Sequence, residues 1–236
     1  MYHYIITWVI LLFVTGCGFQ KQNSNLDIVG GKKAYRNFYG RMEVQGSGRC
    51  GVTLIAPRWV ITAKHCLGIS HERIKIRMGA YDVNSRNNGG KPFEILGIVK
   101  IIEHPRHDMA LMKLERRSKF RPIGFINKKF PDGYRLHAFG FGNRGWGLPG
   151  GGVLKGVVLL HKLRKNPASH IIYTDGSSGR GVCHGDSGGP LIDPKSQKLV
   201  GVTSKTGSHC ASKRGVDGFV RPDLNWIRKV ILKKKR

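Results

Sequence analysis

A serine set between glycines, in the stretch Gly185-Asp186-Ser187-Gly188-Gly189-Pro190 with Cys183 just before it, constrains this chain more than any other feature. The glycines favour a tight turn and leave room for a substrate carbonyl to reach the hydroxyl and the backbone N–H groups beside it. Such a turn suits a nucleophile with an oxyanion hole, the donors being the N–H groups of Gly185 and Ser187. Taken alone it could also be a plain glycine-rich turn. Two upstream segments decide between these readings: Thr62-Ala63-Lys64-His65-Cys66 supplies an imidazole, and Asp108-Met109-Ala110-Leu111-Met112-Lys113-Leu114 supplies a carboxylate. The order His65, Asp108, Ser187 is one of the known triad orders and excludes the serine-first order of the α/β-hydrolases.

With Ile28-Val29-Gly30-Gly31 before these segments and Asn225-Trp226-Ile227 after them, the chain resembles the chymotrypsin/trypsin family of serine endopeptidases over most of its length. The resemblance implies an all-β fold of two six-stranded antiparallel β-barrels with a C-terminal α-helix, the active site in the cleft between the barrels, and a monomer. It implies that Ser187 forms an acyl-enzyme and that Asp108 holds the tautomer of His65. The imidazole is suited to act as general base because its ordinary pKa lies near neutrality. Ser204, after Gly201-Val202-Thr203, resembles the serine that bonds the triad aspartate and begins the strand that binds substrate backbone. Asp186 is expected to pair with the α-amine of Ile28 once the chain is cut before that residue, which makes the full chain a zymogen. Cys50 with Cys66, and Cys183 with Cys210, resemble two disulfides of the family. Lys64, Lys205 and Phe141 depart from the family's usual alanine and two tryptophans; none of these removes a catalytic group, but they bear on pocket shape.

Bottom-up features agree with an all-β chain. Glycine is abundant, at 33 residues, and short apolar runs are broken by turns such as Asn87-Asn88-Gly89-Gly90 and Pro131-Asp132-Gly133. Alternating stretches at Gly51–Ile61, Ile74–Met78, Phe93–Ile102, Arg135–Phe139, Gly156–Leu160, Ile171–Thr174 and Leu199–Thr203 predict strands. The period changes near the end, where Leu224, Trp226, Ile227, Val230 and Ile231 lie on one helical face after Pro222 and Asp223, so a helix is expected over about 222–232. The first barrel is expected over about 28–120, the second over about 121–221, with the seam near Arg117–Ile126 and the whole protease domain at 28–235.

Residues 1–16 read as a signal peptide, because the apolar run Ile5–Val14 is about ten residues, too short to span a bilayer. Val14-Thr15-Gly16-Cys17 resembles the lipobox of bacterial lipoproteins and gives the fifth cysteine a use as a lipidated residue. No Lys or Arg precedes the run, so ordinary secretion and an uncleaved anchor stand beside lipidation. Residues 17–27 are then a propeptide or linker. Oxidised cysteine pairs imply export, to a cell envelope by the lipid anchor or to the medium. Before activation, a lipid on Cys17 would hold the chain at a membrane.

Lys and Arg total 41 against 14 Asp and Glu, a formal charge of +27. Such a field favours anionic surfaces or polymers as partners beside the protein or peptide substrate, or serves only to solubilise an exported protein. No nucleic-acid-binding motif accompanies it. His104 and His107 lack further ligands at metal spacing, and neither a metal nor an organic cofactor is implied. A catalytically idle homologue that binds anionic surfaces is the alternative to an enzyme.

For the substrate pocket, position relative to Ser187 and Cys210 points to Gly181 and Val182 at the base, where trypsin-like members carry an aspartate. Cleavage after Lys or Arg is therefore not expected. His184, Ser204, Lys205, Thr206 and His209 would frame the rim, with Arg214 on the far wall and Asp217 placed to neutralise it. Asp27 precedes the expected activation cut. Two preferences stand: an acidic residue before the cut, or a small to medium apolar one.

Overall fold

Buried and exposed side chains alternate along β5 (Ile74–Met78) and β9 (Lys155–His161), the mark of strands with one face packed and the other wet. The computed structural model describes residues 28–233 except 69, 144, 146–148, 166–167, 177–178, 207–209 and 211–214. The segments expected to be a signal peptide and a propeptide, with Cys17, and also His209 and Arg214, lie outside the described residues.

In the first barrel β2 (Tyr39–Val44), β3 (Ser47–Ala56), β4 (Trp59–Thr62), β7 (Ala110–Leu114), β6 (Glu94–Glu103) and β5 follow one another around a closed antiparallel ring. In the second, β8 (Arg135–Gly140), β9, β10 (Ile171–Asp175), β13 (Val216–Val220), β12 (Lys198–Lys205) and β11 (Pro190–Asp193) return to β8. Closure leaves neither ring with an unpaired edge. The short β1 (Lys32–Lys33) pairs with β9, and Ile28 is fully buried in the second barrel's core. The first described residues therefore cross to the second barrel, although they precede the first in sequence.

Three apolar clusters fill the molecule. Met42, Leu54, Ile76 and Leu96 lie inside the first barrel, and Leu136, Leu159, Val200 and Phe219 inside the second. A third cluster, with Tyr39, Ile61, Phe139 and Val202, joins the two. Strands at this junction are buried on both faces: every residue of β4 and of β11 is buried.

The expected run Gly51–Ile61 is a hairpin rather than one strand, because Pro57 and Arg58 turn the chain between β3 and β4. Helix α1 (Leu224–Leu232) begins after Pro222: the Asp223 carboxylate caps it by accepting from Trp226 N at 3.0 Å. Its apolar face, with Ile227 and Trp226, joins the cluster of Tyr39, Ile61, Phe139 and Val202 that links the two barrels.

Candidate active site

β4 delivers the histidine. Its pairing with β3 and β7 sets the strand axis, and the chain then winds into a 3-10 turn at Lys64–Cys66 that turns the His65 side chain out toward solvent. The Cys50–Cys66 disulfide ties that turn to β3. Asp108 enters two residues before β7, from the turn that follows β6. Its Oδ1 accepts from His65 N at 2.9 Å, and its Oδ2 lies 2.8 Å from His65 Nδ1 and accepts from Ser204 Oγ at 2.5 Å. A carboxylate can only accept here, so the His65 proton resides on Nδ1 and Nε2 presents its lone pair. Burial raises the Asp108 pKa; the bonds from the His65 ring, from Ser204 and from the His65 backbone overcome that and bring it down to about 2.

Ser187 stands on a loop closed by its own backbone. Asp186 N donates to Cys183 O at 3.0 Å and Gly189 N to Asp186 O at 3.0 Å, while Gly188 N donates to Thr203 O at 2.8 Å. The first barrel grips the same loop, with Gly51 N donating to Ser187 O at 2.7 Å. Gly188, at φ +78°, admits no side chain: a Cβ there would collide with Thr62 Oγ1 and Gly51 O. That close approach brings the serine loop against the segment that carries His65. Among the described residues, the N–H groups of Gly185 and Ser187 make no backbone hydrogen bond, and no bond joins Ser187 Oγ to His65 Nε2. Contacts of the latter kind commonly tighten only when substrate is bound.

Asp186 is fully buried, and its carboxylate accepts from Gly142 N at 2.7 Å and Cys183 N at 2.8 Å. Gly140 and Gly142 cradle it, since a Cβ on either would run into the carboxylate. Ile28 N donates to Gly142 O at 3.3 Å, so Ile28 and Asp186 meet at the same residue. Tyr39, which carries no motif, also reaches this loop. Its buried hydroxyl has no partner among the described residues, and burial and the nearby Asp186 charge push its pKa up. Neither Tyr39 nor Gly51 is among the residues expected at the site, and no motif marks them.

The expected pocket residues are divided. Val182 is fully buried in the second barrel's core, Gly181 N donates to Val29 O at 3.2 Å, and neither lines a described cavity. Asp217, also fully buried, accepts from Val182 N at 3.0 Å. Ser204, Lys205 and Thr206 do line a cavity of about 540 Å³ beside Asp108. His184 instead lines a separate cavity of about 220 Å³, with Arg41, Cys50, Phe141 and Gly185. Cys183 is bonded to Cys210, which closes the loop between them. Among the described residues no group of three His, Cys, Asp or Glu is arranged to hold a metal.

A sequence model of the family described as Trypsin matches residues 28–227. Human (Homo sapiens) granzyme M is 29% identical over 240 residues, covering 86% of this chain and 88% of that protein. Serine protease 1 of the dog (Canis lupus familiaris) is 31% identical over 231 residues, covering 86% and 89%. The structure of human heparin binding protein superposes with a TM-score of 0.74 at 27% identity, covering 88% of this chain and 98% of that one. Mouse neuropsin, at 20% identity and a TM-score of 0.77, shares the fold.

Proposed function

The chain belongs to the trypsin family of serine endopeptidases, and from that premise we propose that it is an exported enzyme made as a zymogen, with His65, Asp108 and Ser187 as its triad. The observation that carries the assignment is the Asp108 carboxylate bonded at once to His65 N, His65 Nδ1 and Ser204 Oγ. Ser187 Oγ attacks the carbonyl of the residue before the cut and passes its proton to His65 Nε2. The oxyanion takes the N–H groups of Gly185 and Ser187, worth about 2.7–4 kcal/mol per donor in the transition state. The C–N bond then breaks as His65 returns the proton to the leaving amine, and water hydrolyses the ester by the same route reversed. No cofactor takes part.

The residue before the cut docks against Ser204–Thr206, whereas the Gly181–Val182 segment expected at the pocket base is buried and lines no described cavity. Asp217 puts a buried carboxylate directly beneath Val182, which disfavours an acidic side chain there, so the small to medium apolar preference is the one adopted. Export rests on the two disulfides. A lipid on Cys17 remains a proposal from the sequence alone, and the relatives named above are mammalian.

A fluorophosphonate probe on the processed protein tests the assignment. We expect stoichiometric labelling of Ser187, abolished in Ser187→Ala and in His65→Ala, with peptide hydrolysis lost in parallel. Folded protein that takes no label would favour the second reading, an idle homologue that binds anionic polymers. The charge of +27 and the likeness to a heparin binding protein speak for that reading.

A further inference from the structure

The cavity of about 540 Å³ beside the triad does not end there. It shares Arg164 and Val216 with a second cavity, of about 480 Å³, that runs on past Lys162 and Lys165. Together they make one groove leading away from Ser204. Val216 and Val220 give its lining an apolar part, Arg106, Lys205 and Arg164 line the part beside the triad, and Arg164 and Lys165 line its continuation. The Arg164 guanidinium lies 5.1 Å from the centre of the Tyr173 ring, which holds it at the wall.

Cations are common on a chain of charge +27, so their presence in the groove decides little by itself. Their lack of partners decides more. Elsewhere Arg77 pairs with Glu43, Arg116 with Glu94 and Lys128 with Asp193. Among the described residues, no ion pair uses Arg106, Arg164, Lys165 or Lys205. The carboxylates within reach are already engaged: Asp108 by His65 and Ser204, and Asp175 by Lys162 at 3.7 Å. The groove is thus left with uncompensated positive charge along its length.

A peptide whose attacked carbonyl sits at Ser187, with the side chain of that residue against Ser204–Thr206, must run its preceding residues along Lys205 and into this groove. We propose that the groove selects substrates carrying Asp or Glu two to five positions before the cut, with Arg106, Lys205 and Arg164 as the specificity-determining residues. The proposal rests on the protease reading above. It is distinct from the preference at the residue immediately before the cut. Each exposed cation paired in this way is worth about two- to fivefold in kcat/KM. Three together favour an acidic segment by about tenfold or more at low salt, and salt reduces the preference.

The test compares two peptide series, identical except that Asp and Glu replace Asn and Gln at those positions, on enzyme whose active sites have been counted by fluorophosphonate. The expected result is a ratio of kcat/KM near tenfold in favour of the acidic series, falling at 0.5 M salt. The ratio should collapse toward one in the Arg106→Gln/Arg164→Gln/Lys205→Gln variant. A ratio near one in the native enzyme, or one unchanged in the variant, overturns the proposal. If the protein takes no label, the protease reading fails separately. Fluorescence anisotropy of the same peptides on Ser187→Ala then still decides: preferential binding of the acidic series supports the groove, and equal binding refutes it.

Discussion

At the scale of single residues, the site is a question of which charges are satisfied. Asp108 has an ordinary pKa of 3.8 and a folded value of about 2, so its ionised form is favoured by the fold. Its contribution to stability is complete above the ordinary value and is lost as the pH falls from about 4 to 2. Denaturation of native protein and of Asp108→Asn at pH 5 and pH 2 checks this: the native protein should lose the larger share, and equal losses would contradict it. Ser204→Ala removes a hydrogen bond to a charged group, worth about 1.5–3 kcal/mol. If most of that falls on the transition state, kcat/KM drops by about ten- to a hundredfold, and an unchanged rate would show that the hydroxyl is only structural. Asp217 makes a third prediction at this scale. A library randomised at the residue before the cut should show cleavage after Ala, Val or Leu and none after Asp or Glu. Strong cleavage after Lys or Arg would mean that the Asp217 carboxylate serves the pocket, and would overturn the apolar preference.

Among the elements, those that could be read in the sequence are those whose burial alternates. β5 spans Ile74–Met78 as its pattern predicts, β9 extends its expected run by one residue at each end, and β10 by one residue at its C-terminal end. β11 was invisible because it has four residues, opens on Pro190 and is buried throughout, so it offers no alternation and looks like a continuation of the glycine loop. β13 carries Asp217 and Gly218, poor strand formers, and holds its place because Val182 N satisfies the carboxylate. β2 is broken to the eye by Gly40, which packing demands: a Cβ there would press on Val52 and Ile76. His65, Asp108 and Ser187 stand out as triad candidates because the chemistry permits few residue types, whereas Tyr39 does not, since a tyrosine wedged under a loop has no spacing rule. The turn between β6 and β7 carries a consequence of its own. His107 stacks between His104 and His170, at 4.5 Å and 4.3 Å, and His104 lies 3.3 Å from the helix-capping Asp223. Burial, then His170, His104 and Arg106, lower the His107 pKa against the opposing pull of Asp223. The folded state therefore favours neutral His107, and stability is lost as the pH falls below the ordinary value of 6.5. The urea midpoint should fall between pH 7 and pH 5 and do so less in His107→Gln; equal slopes would refute the assignment.

For the molecule as a whole, the disulfides decide what a cut before Ile28 would do. Cys50–Cys66 lies within the first barrel and Cys183–Cys210 within the second, and residues 28–236 contain no further cysteine. Neither bond, then, can hold residues 1–27 to the enzyme once the chain is cut, and any lipid on Cys17 would leave with that segment. The new α-amine would arise where Ile28 N already meets Gly142 O, next to the Asp186 carboxylate that Gly142 N supports. Pairing with a buried carboxylate raises an amine above its ordinary range of roughly 7.7–8. The pair is thus intact below that raised value and is lost as the pH rises through it, and with it goes the geometry of the Gly185 and Ser187 donors. Activity should fall on the alkaline side, reversibly, while fluorophosphonate labelling of Ser187 falls with it. Asp186→Asn should remove most activity at every pH, because its loop would lose the charge that holds it. The decisive measurement is the N-terminal sequence of active material under non-reducing conditions: Ile28 with no attached propeptide is expected, and full activity in a chain that begins elsewhere would refute both the activation step and the release from the membrane.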